Sequence, residues 1–172
     1  MTKIPDFLIP YFRTNHAGET GAVYIYKGIL AISKNKDIIE FSQRHLKTES
    51  NHLKIISNIL PYKKRSRLIF LWKILGYITG YLPALFGDKF VYATIYSVES
   101  FVEQHYQDQI NLISKDKKFE EVKDLIKSLM DDEVDHKNEA YENFKSLNLF
   151  QRGWSVLVKK GSSFAVKVSM IV

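Results

Sequence analysis

Two of the five histidines in this chain of 172 residues stand in the same local pattern, Glu49-Ser-Asn-His52 and Glu133-Val-Asp-His136. In a helix, residues three apart project from one face, so each pair would offer a carboxylate and an imidazole to a common point. Two further glutamates extend the pattern. Glu19 lies thirty residues before Glu49 and Glu99 thirty-four before Glu133, so the order Glu…Glu-x-x-His occurs twice, with corresponding positions 80 and 84 apart. Carboxylate oxygens and imidazole nitrogens together suit iron. Four carboxylates also carry the charge that balances two divalent ions, and burying them together without metal would be very costly. The chain has no cysteine, which excludes a disulfide framework, a thiolate metal site and a cysteine nucleophile. Any metal must be held by His, Asp or Glu. A lone glutamate is usually solvated helix surface and a lone histidine a hydrogen-bonded core residue; the six in repeated order carry the signal.

Helices are the elements that could position them. Two-residue alternation is not sustained anywhere and no Asn-Gly or Asp-Gly hairpin turn occurs, whereas helical periodicity recurs. The pattern predicts helices over about 17–34, ended near Asn35; from Asp37 to Leu60, stopped by Pro61; over 88–114, through Val91, Ile95, Val98, Val102 and Tyr106; and over 117–146, through Val122, Leu125, Ile126, Leu129 and Val134. Length and composition, with 45% hydrophobic and 26% charged residues, fit one all-α domain over 1–172 and exclude wholesale disorder.

The segment 68–86, LIFLWKILGYITGYLPALF, holds one charge, Lys73. As a helix it would approach the hydrocarbon thickness of a bilayer. Gly76, Gly80, Pro83 and Lys73 point instead to a broken helix in the membrane interface, with Trp72, Tyr77 and Tyr81 at headgroup level. A buried crossover of a soluble bundle is the other reading. The net charge of +6 is concentrated here and at the C-terminus: 62–90 holds Lys63, Lys64, Arg65, Arg67, Lys73 and Lys89 against Asp88 alone, and 147–172 holds Arg152, Lys159, Lys160 and Lys167 with no acid. Basic segments that are also apolar suit an anionic membrane surface rather than nucleic acid. The tail 147–172 is expected either as a second amphipathic element on that surface or as a helix packed on the bundle. The N-terminus, MTKIPDFLIPYF, has neither a charged n-region nor a long apolar h-region, so a cytoplasmic chain is expected.

The repeated Glu…Glu-x-x-His order and the long connection at 61–87 resemble the ferritin-like four-helix bundles with di-iron sites, whose two hairpins need one crossover. RTNHAGETGAVYIYKG (13–28), TESNHLK (48–54), LWKILGYITGYLPALFG (71–87), VESFVEQHYQDQI (98–110) and DDEVDHKNEA (131–140) resemble, in order and with compatible spacing, motifs of the demethoxyubiquinone hydroxylase family, over about residues 11–146. That resemblance implies a di-iron membrane monooxygenase of ubiquinone biosynthesis that uses O2 to hydroxylate the ring of a polyprenylated demethoxyubiquinol. It implies iron ligation by Glu19, Glu49, His52, Glu99, Glu133 and His136, with Glu99 bridging together with Glu49 or its counterpart. It also implies a role for His105 and Tyr106 in substrate binding or in electron and proton delivery. His105 follows Glu99 by six residues and so faces another side of the helix. Ser100 stands where many relatives carry a second acid, which leaves the ligand set intact.

Four other residues border this set. His16 is expected at a helix start or outside the ligand set, and His45 at the surface or behind a ligand. Asp132 or Asp135 could orient a ligand imidazole through its outer nitrogen. No G-x-G-x-x-G fingerprint is present, so the reductant is external, with NADH, the quinol itself or another protein as candidates. The expected partners are the polyprenyl quinol, anionic lipid, accessory proteins of the same pathway and further copies in an oligomer, with no nucleic acid. The expected location is the periphery of a bacterial inner membrane, on the cytoplasmic face. Iron storage, which uses similar ligands, would not require nineteen nearly uncharged residues and a basic apolar tail.

Overall fold

The structure is a computed structural model that describes residues 4–172; the first three residues of the N-terminal segment considered above lie outside it. Six α-helices make up the described residues: α1 (Ile9–Leu30), α2 (Lys36–Ile59), α3 (Ile69–Phe86), α4 (Asp88–Ile113), α5 (Glu120–Phe144) and α6 (Leu149–Ile171). Helices α1 and α2 pack as one hairpin and α4 and α5 as another, giving an all-α ferritin-like bundle. Helix α3 lies along α1, while α6 packs on α4 and α1.

Local chemistry sets most of the boundaries. Pro10 opens α1 in its first turn, where its missing N–H costs nothing. The Asn35 side chain accepts from the Asp37 amide at 2.9 Å to cap α2, and its amide also donates to Asp88 at the start of α4. Asn148 and Gln151 form a reciprocal capping box at the start of α6. Gly87, with φ of 103°, alone separates α3 from α4, in backbone space that favours glycine.

Helix α1 begins about eight residues before the expected position and ends at Leu30 rather than 34. Its sequence holds three Gly, two Thr and one Asn, poor helix formers, and tertiary packing overrides that propensity. Phe12, Ile25, Tyr26 and Ile29 are all buried along it.

Helix α3 is unbroken, contrary to expectation. Gly76 and Gly80 mark close approach to α1: a Cβ on Gly76 would collide with the Gly21 backbone, and one on Gly80 with the Ile25 carbonyl. Pro83 lies in the closing turns, where a lost N–H donor removes one bond without ending the helix. Trp72 corrects a second expectation. It is buried with its indole N–H donating to Ser66 Oγ at 3.1 Å, so it is a packing residue rather than a headgroup anchor. The outer face of α3 is apolar and open, with Phe70 76% and Phe86 70% exposed and Ile74, Ile78, Leu82 and Leu85 also exposed. This 18-residue helix, with mean hydropathy 1.4, is the one among the described residues long and apolar enough to cross a membrane by length and composition. The C-terminal tail is a helix packed on the bundle that keeps an exposed face of Val156, Leu157, Phe164, Lys159, Lys160 and Lys167.

Two apolar clusters divide the bundle interior. One contains Tyr26, Phe41, Tyr92, Ile95 and Phe144; the other contains Phe12, Ile56, Tyr106, Ile126 and Leu129. Along each main helix the glutamate falls between residues of the two clusters: Glu19 between Phe12 and Tyr26, Glu49 between Phe41 and Ile56, Glu99 between Ile95 and Tyr106, Glu133 between Leu129 and Phe144.

Candidate metal centre and apolar cavity

All six residues of the repeated pattern are buried and meet at mid-bundle. They form two overlapping groups, Glu19–Glu49–His52–Glu133 and Glu49–Glu99–Glu133–His136, and within each group one potential ligand atom per residue lies within 4.8 Å of every other. The groups share Glu49 and Glu133. Glu19 and Glu99 belong to one group each, so the two Glu-x-x-His glutamates are the ones common to both.

The hairpins exchange contacts. His52 Nδ1 on α2 lies 3.1 Å from Glu133 Oε1 on α5, and His136 Nδ1 on α5 lies 3.0 Å from Glu49 Oε1 on α2. Glu133 Oε2 is also 3.3 Å from His136 Nδ1. Burial would push both imidazoles down, but bonding to Glu133 and Glu19 raises His52 to about 12, and bonding to Glu133 and Glu49 raises His136 to about 9. Burial would likewise raise Glu133, yet the bonds from His136 and His52 prevail and hold it at about 2. Glu49 and Glu99 are pushed well above the carboxylate range, first by burial and then by the Glu133 charge. Protons thus offset the negative charge that cations would otherwise balance.

The donor set fits metal on a further ground. Glu99 Oε1 is buried without a hydrogen-bond partner, Glu19 Oε2 stands 3.7 Å from His52 Nδ1, beyond hydrogen-bond reach, and the Glu49 and Glu133 oxygens that face His136 Nδ1 pair with it outside hydrogen-bond geometry, a concentration of under-satisfied atoms that native interiors avoid. Cations would satisfy them, and hard carboxylates with imidazole suit iron-type ions.

Supporting residues surround the cluster. His52 Nε2 bonds Asp132 Oδ2 at 2.8 Å, so of the two acids flanking Glu133 it is Asp132 that orients an imidazole. His45, expected at the surface or behind a ligand, is buried. Its ring meets the His136 ring edge-on with centroids 3.9 Å apart, and its Nε2 bonds Glu139 at 2.9 Å, while Arg44 holds Glu139 from outside. His16 is a buried mid-helix residue outside both groups, and burial followed by the charge of Arg65 lowers it to about 4.

On the other side of the cluster a cavity of about 430 Å³ opens between α1, α3, α4 and α6. Glu19, Glu49, Glu99 and Glu133 line it, as do Leu75, Ile78 and Leu82 of α3 and Leu157 and Ala165 of α6. The Tyr106 hydroxyl donates to Glu19 Oε1, and burial followed by the Glu19 charge raises that phenol well above its ordinary value. His105 also lines the cavity, outside both ligand groups. Sequence reasoning did not find its partner Thr14, nor the reciprocal Asn15–Gln109 pair at 2.8 and 2.9 Å beside it. The available signal was polar residues, Asn15 and Gln109, inside otherwise apolar helix faces.

Fold and cluster together define a ferritin-like bundle with a carboxylate–histidine centre able to hold two cations beside an apolar cavity. The chain belongs to the family described as Ubiquinone biosynthesis protein COQ7, whose model matches residues 7–169. It is 34% identical over 163 residues to a protein of Dictyostelium discoideum named NADPH-dependent 3-demethoxyubiquinone 3-hydroxylase, mitochondrial, covering 91% of this chain and 74% of that one. A Rattus norvegicus protein of the same name is 29% identical over 161 residues, again 91% and 74%. The 3-demethoxyubiquinol 3-hydroxylase of Rhodospirillum rubrum is 29% identical over 169 residues, 96% of this chain and 79% of the relative.

Proposed function

We propose that this protein hydroxylates the ring of a polyprenylated demethoxyubiquinol with O2 at a pair of iron ions, in ubiquinone biosynthesis. One observation carries the reading: an apolar cavity whose inner end is four buried carboxylates, in a chain of this family. The residues that would hold the ions are Glu19, Glu49, His52, Glu99, Glu133 and His136. Bound iron supplies the redox and Lewis-acid chemistry that O2 activation requires.

The chain's own residues do the rest. Glu49 and Glu133 would share charge between both ions, while Glu19 and Glu99 complete one end each. Asp132 fixes the His52 ring through Nε2. Tyr106 keeps a proton on its phenol and directs it at Glu19 Oε1, which orients that carboxylate. The cavity wall excludes water and seats the ring, with His105 as the imidazole that meets it.

The open apolar faces of α3 and α6, bordered by exposed Lys63, Lys64, Arg67, Lys159 and Lys160, support attachment at an anionic membrane surface, where a prenyl tail resides. On this reading residues 1–172 work as one ferritin-like unit, peripheral to the membrane. The relatives come from both mitochondria and bacteria; the cytoplasmic face of a bacterial inner membrane is proposed from the sequence alone. Reducing equivalents come from outside the chain. NADH is the donor proposed, and the names of the mitochondrial relatives support a nicotinamide donor. Accessory proteins and self-association remain part of the proposal.

The test supplies iron-loaded, detergent-solubilised protein with a short-chain demethoxyubiquinol, NADH and isotopically heavy O2. A product carrying one labelled oxygen is expected. Bound iron with no labelled product would overturn the assignment.

A further inference from the structure

His105 sits in the cavity wall with its ring flanked by two aromatic side chains and its Nε2 edge bonded. Phe101 stacks on it at 6.2 Å and 7°, Tyr11 at 6.5 Å and 27°, and Gln109 Nε2 donates to its backbone carbonyl at 3.1 Å. Its Nε2 lies 2.8 Å from Thr14 Oγ1. Thr14 Oγ1 lies in turn 2.6 Å from the Tyr11 carbonyl oxygen.

The direction of these two bonds can be deduced. A carbonyl oxygen only accepts, so a contact at 2.6 Å requires the threonine proton to lie between Oγ1 and Tyr11 O. A hydroxyl has one proton. Thr14 Oγ1 therefore has nothing left to donate to the imidazole and can only accept from it, which places a proton on Nε2. Burial holds the His105 imidazolium form down to about 4, against a smaller opposing effect of Asp108, so a second proton is absent near neutrality. Nδ1 then carries a lone pair. Among the described residues it has no hydrogen-bond partner, and it is not one of the polar atoms sealed inside the protein.

We propose that Thr14 is a positioning residue that locks His105 in its Nε2–H tautomer, so that the imidazole offers the cavity a hydrogen-bond acceptor and selects the hydroquinone form of the ring over the quinone. A hydroquinone hydroxyl can donate to Nδ1. A quinone carbonyl can only accept, and would face the imidazole lone pair. With the opposite tautomer the preference would reverse. The identity of the ring rests on the hydroxylase reading; the tautomer rests on Thr14, Tyr11 and the burial of the imidazole.

The test uses zinc-loaded protein, which is diamagnetic and cannot turn over. In histidine-selective 15N–1H spectra, His105 is expected to show a protonated, pyrrole-type Nε2 and a pyridine-type Nδ1. Thr14→Val removes the acceptor and is expected to populate the Nδ1–H form, while Thr14→Ser retains the wild-type pattern. Binding of 2-methoxy-5-methyl-hydroquinone, the tail-less demethoxy ring, and of the matching quinone is then compared by fluorescence titration. The wild type is expected to favour the hydroquinone about tenfold, the size of one net hydrogen bond, and Thr14→Val to bring the ratio near one. A protonated Nδ1 in the wild type, or a ratio unchanged in Thr14→Val, overturns the proposal. Equal binding of both rings with the tautomer as stated overturns the selection alone. Failure of both rings to bind would bring down the hydroxylase reading along with it.

Discussion

Glu133 stands between the two histidines, with one carboxylate oxygen 3.1 Å from His52 Nδ1 and the other 3.3 Å from His136 Nδ1. Its partner in this role is Glu49, the other glutamate common to both ligand groups. Shared and end carboxylates should therefore respond differently to substitution.

Glu133→Ala removes a ligand from both groups and is expected to reduce bound iron from about two ions per chain to below one. Glu99→Ala removes a ligand from one group and should leave about one ion. Metal analysis after gel filtration decides, and equal losses in the two variants would contradict the shared role of Glu133.

Asp132→Asn keeps the hydrogen bond to His52 but removes the charge that favours its tautomer. An outer partner of a ligand histidine of this kind contributes about 10–100-fold in metal affinity. Competition with a fluorescent chelator should show a loss in that range, whereas Asp135→Asn should show none.

Metal uptake should release protons. In the metal-free protein His52 at about 12 and His136 at about 9 are protonated at neutral pH, burial and the Glu133 charge make Glu49 and Glu99 hold protons to higher pH than a free carboxylate, and ligation requires such protons to be lost. Iron affinity is therefore expected to fall steeply with acid. Stability of the metal-free fold runs the other way. The raised histidines contribute fully below their unfolded value of 6.5, and the contribution is lost as pH rises through about 9 for His136 and then about 12 for His52. Glu49 and Glu99 act in the same direction above 4.5. Glu133 opposes them only in acid, between 4.5 and about 2. Thermal melts of metal-free protein should drop between pH 6 and pH 10, and a flat profile would contradict this assignment of protons.

Gly80→Ala places a methyl group against the Ile25 carbonyl on α1, a contact with no flexible side chain to yield. A destabilisation of about 1–3 kcal/mol is expected from denaturant unfolding. Gly153→Ala, where a Cβ meets nothing within 4 Å, should not destabilise.

Replacing Phe70, Ile74 and Phe86 by Ser removes apolar surface from the open face of α3 while leaving the bundle interior and the cavity wall untouched. Flotation with anionic liposomes should weaken and iron content should hold. Trp72→Ser is the contrasting variant: it empties a buried site and is expected to lower stability, by about 3 kcal/mol or more.

The parts of this molecule legible in the sequence are those in which periodicity and chemistry agree. Val91, Ile95, Val98 and Tyr106 repeat at helical steps and are buried, and Glu99 falls within the same stripe. The six candidate ligands meet because each lies mid-helix in a repeated order. Glycine was harder to read. Gly76 and Gly80 look like breaks in isolation, and only the α1 backbone beside them reveals contact points. Trp72 carried no sign of burial, because that depends on Ser66 and on the face α3 turns toward α1. The contact of His52 with Glu133 and the pairing of Thr14 with His105 join residues 81 and 91 positions apart, a relation no local pattern encodes.

A single residue, Gly87, joins α3 to α4 and leaves no slack between them. On the membrane reading proposed above, the surface under the open face of α3 would therefore also set the tilt of α4, and with it the attitude of Glu99, His105 and Tyr106. The crossover would then serve as a keel: the angle at which it settles would determine which way the mouth of the cavity points.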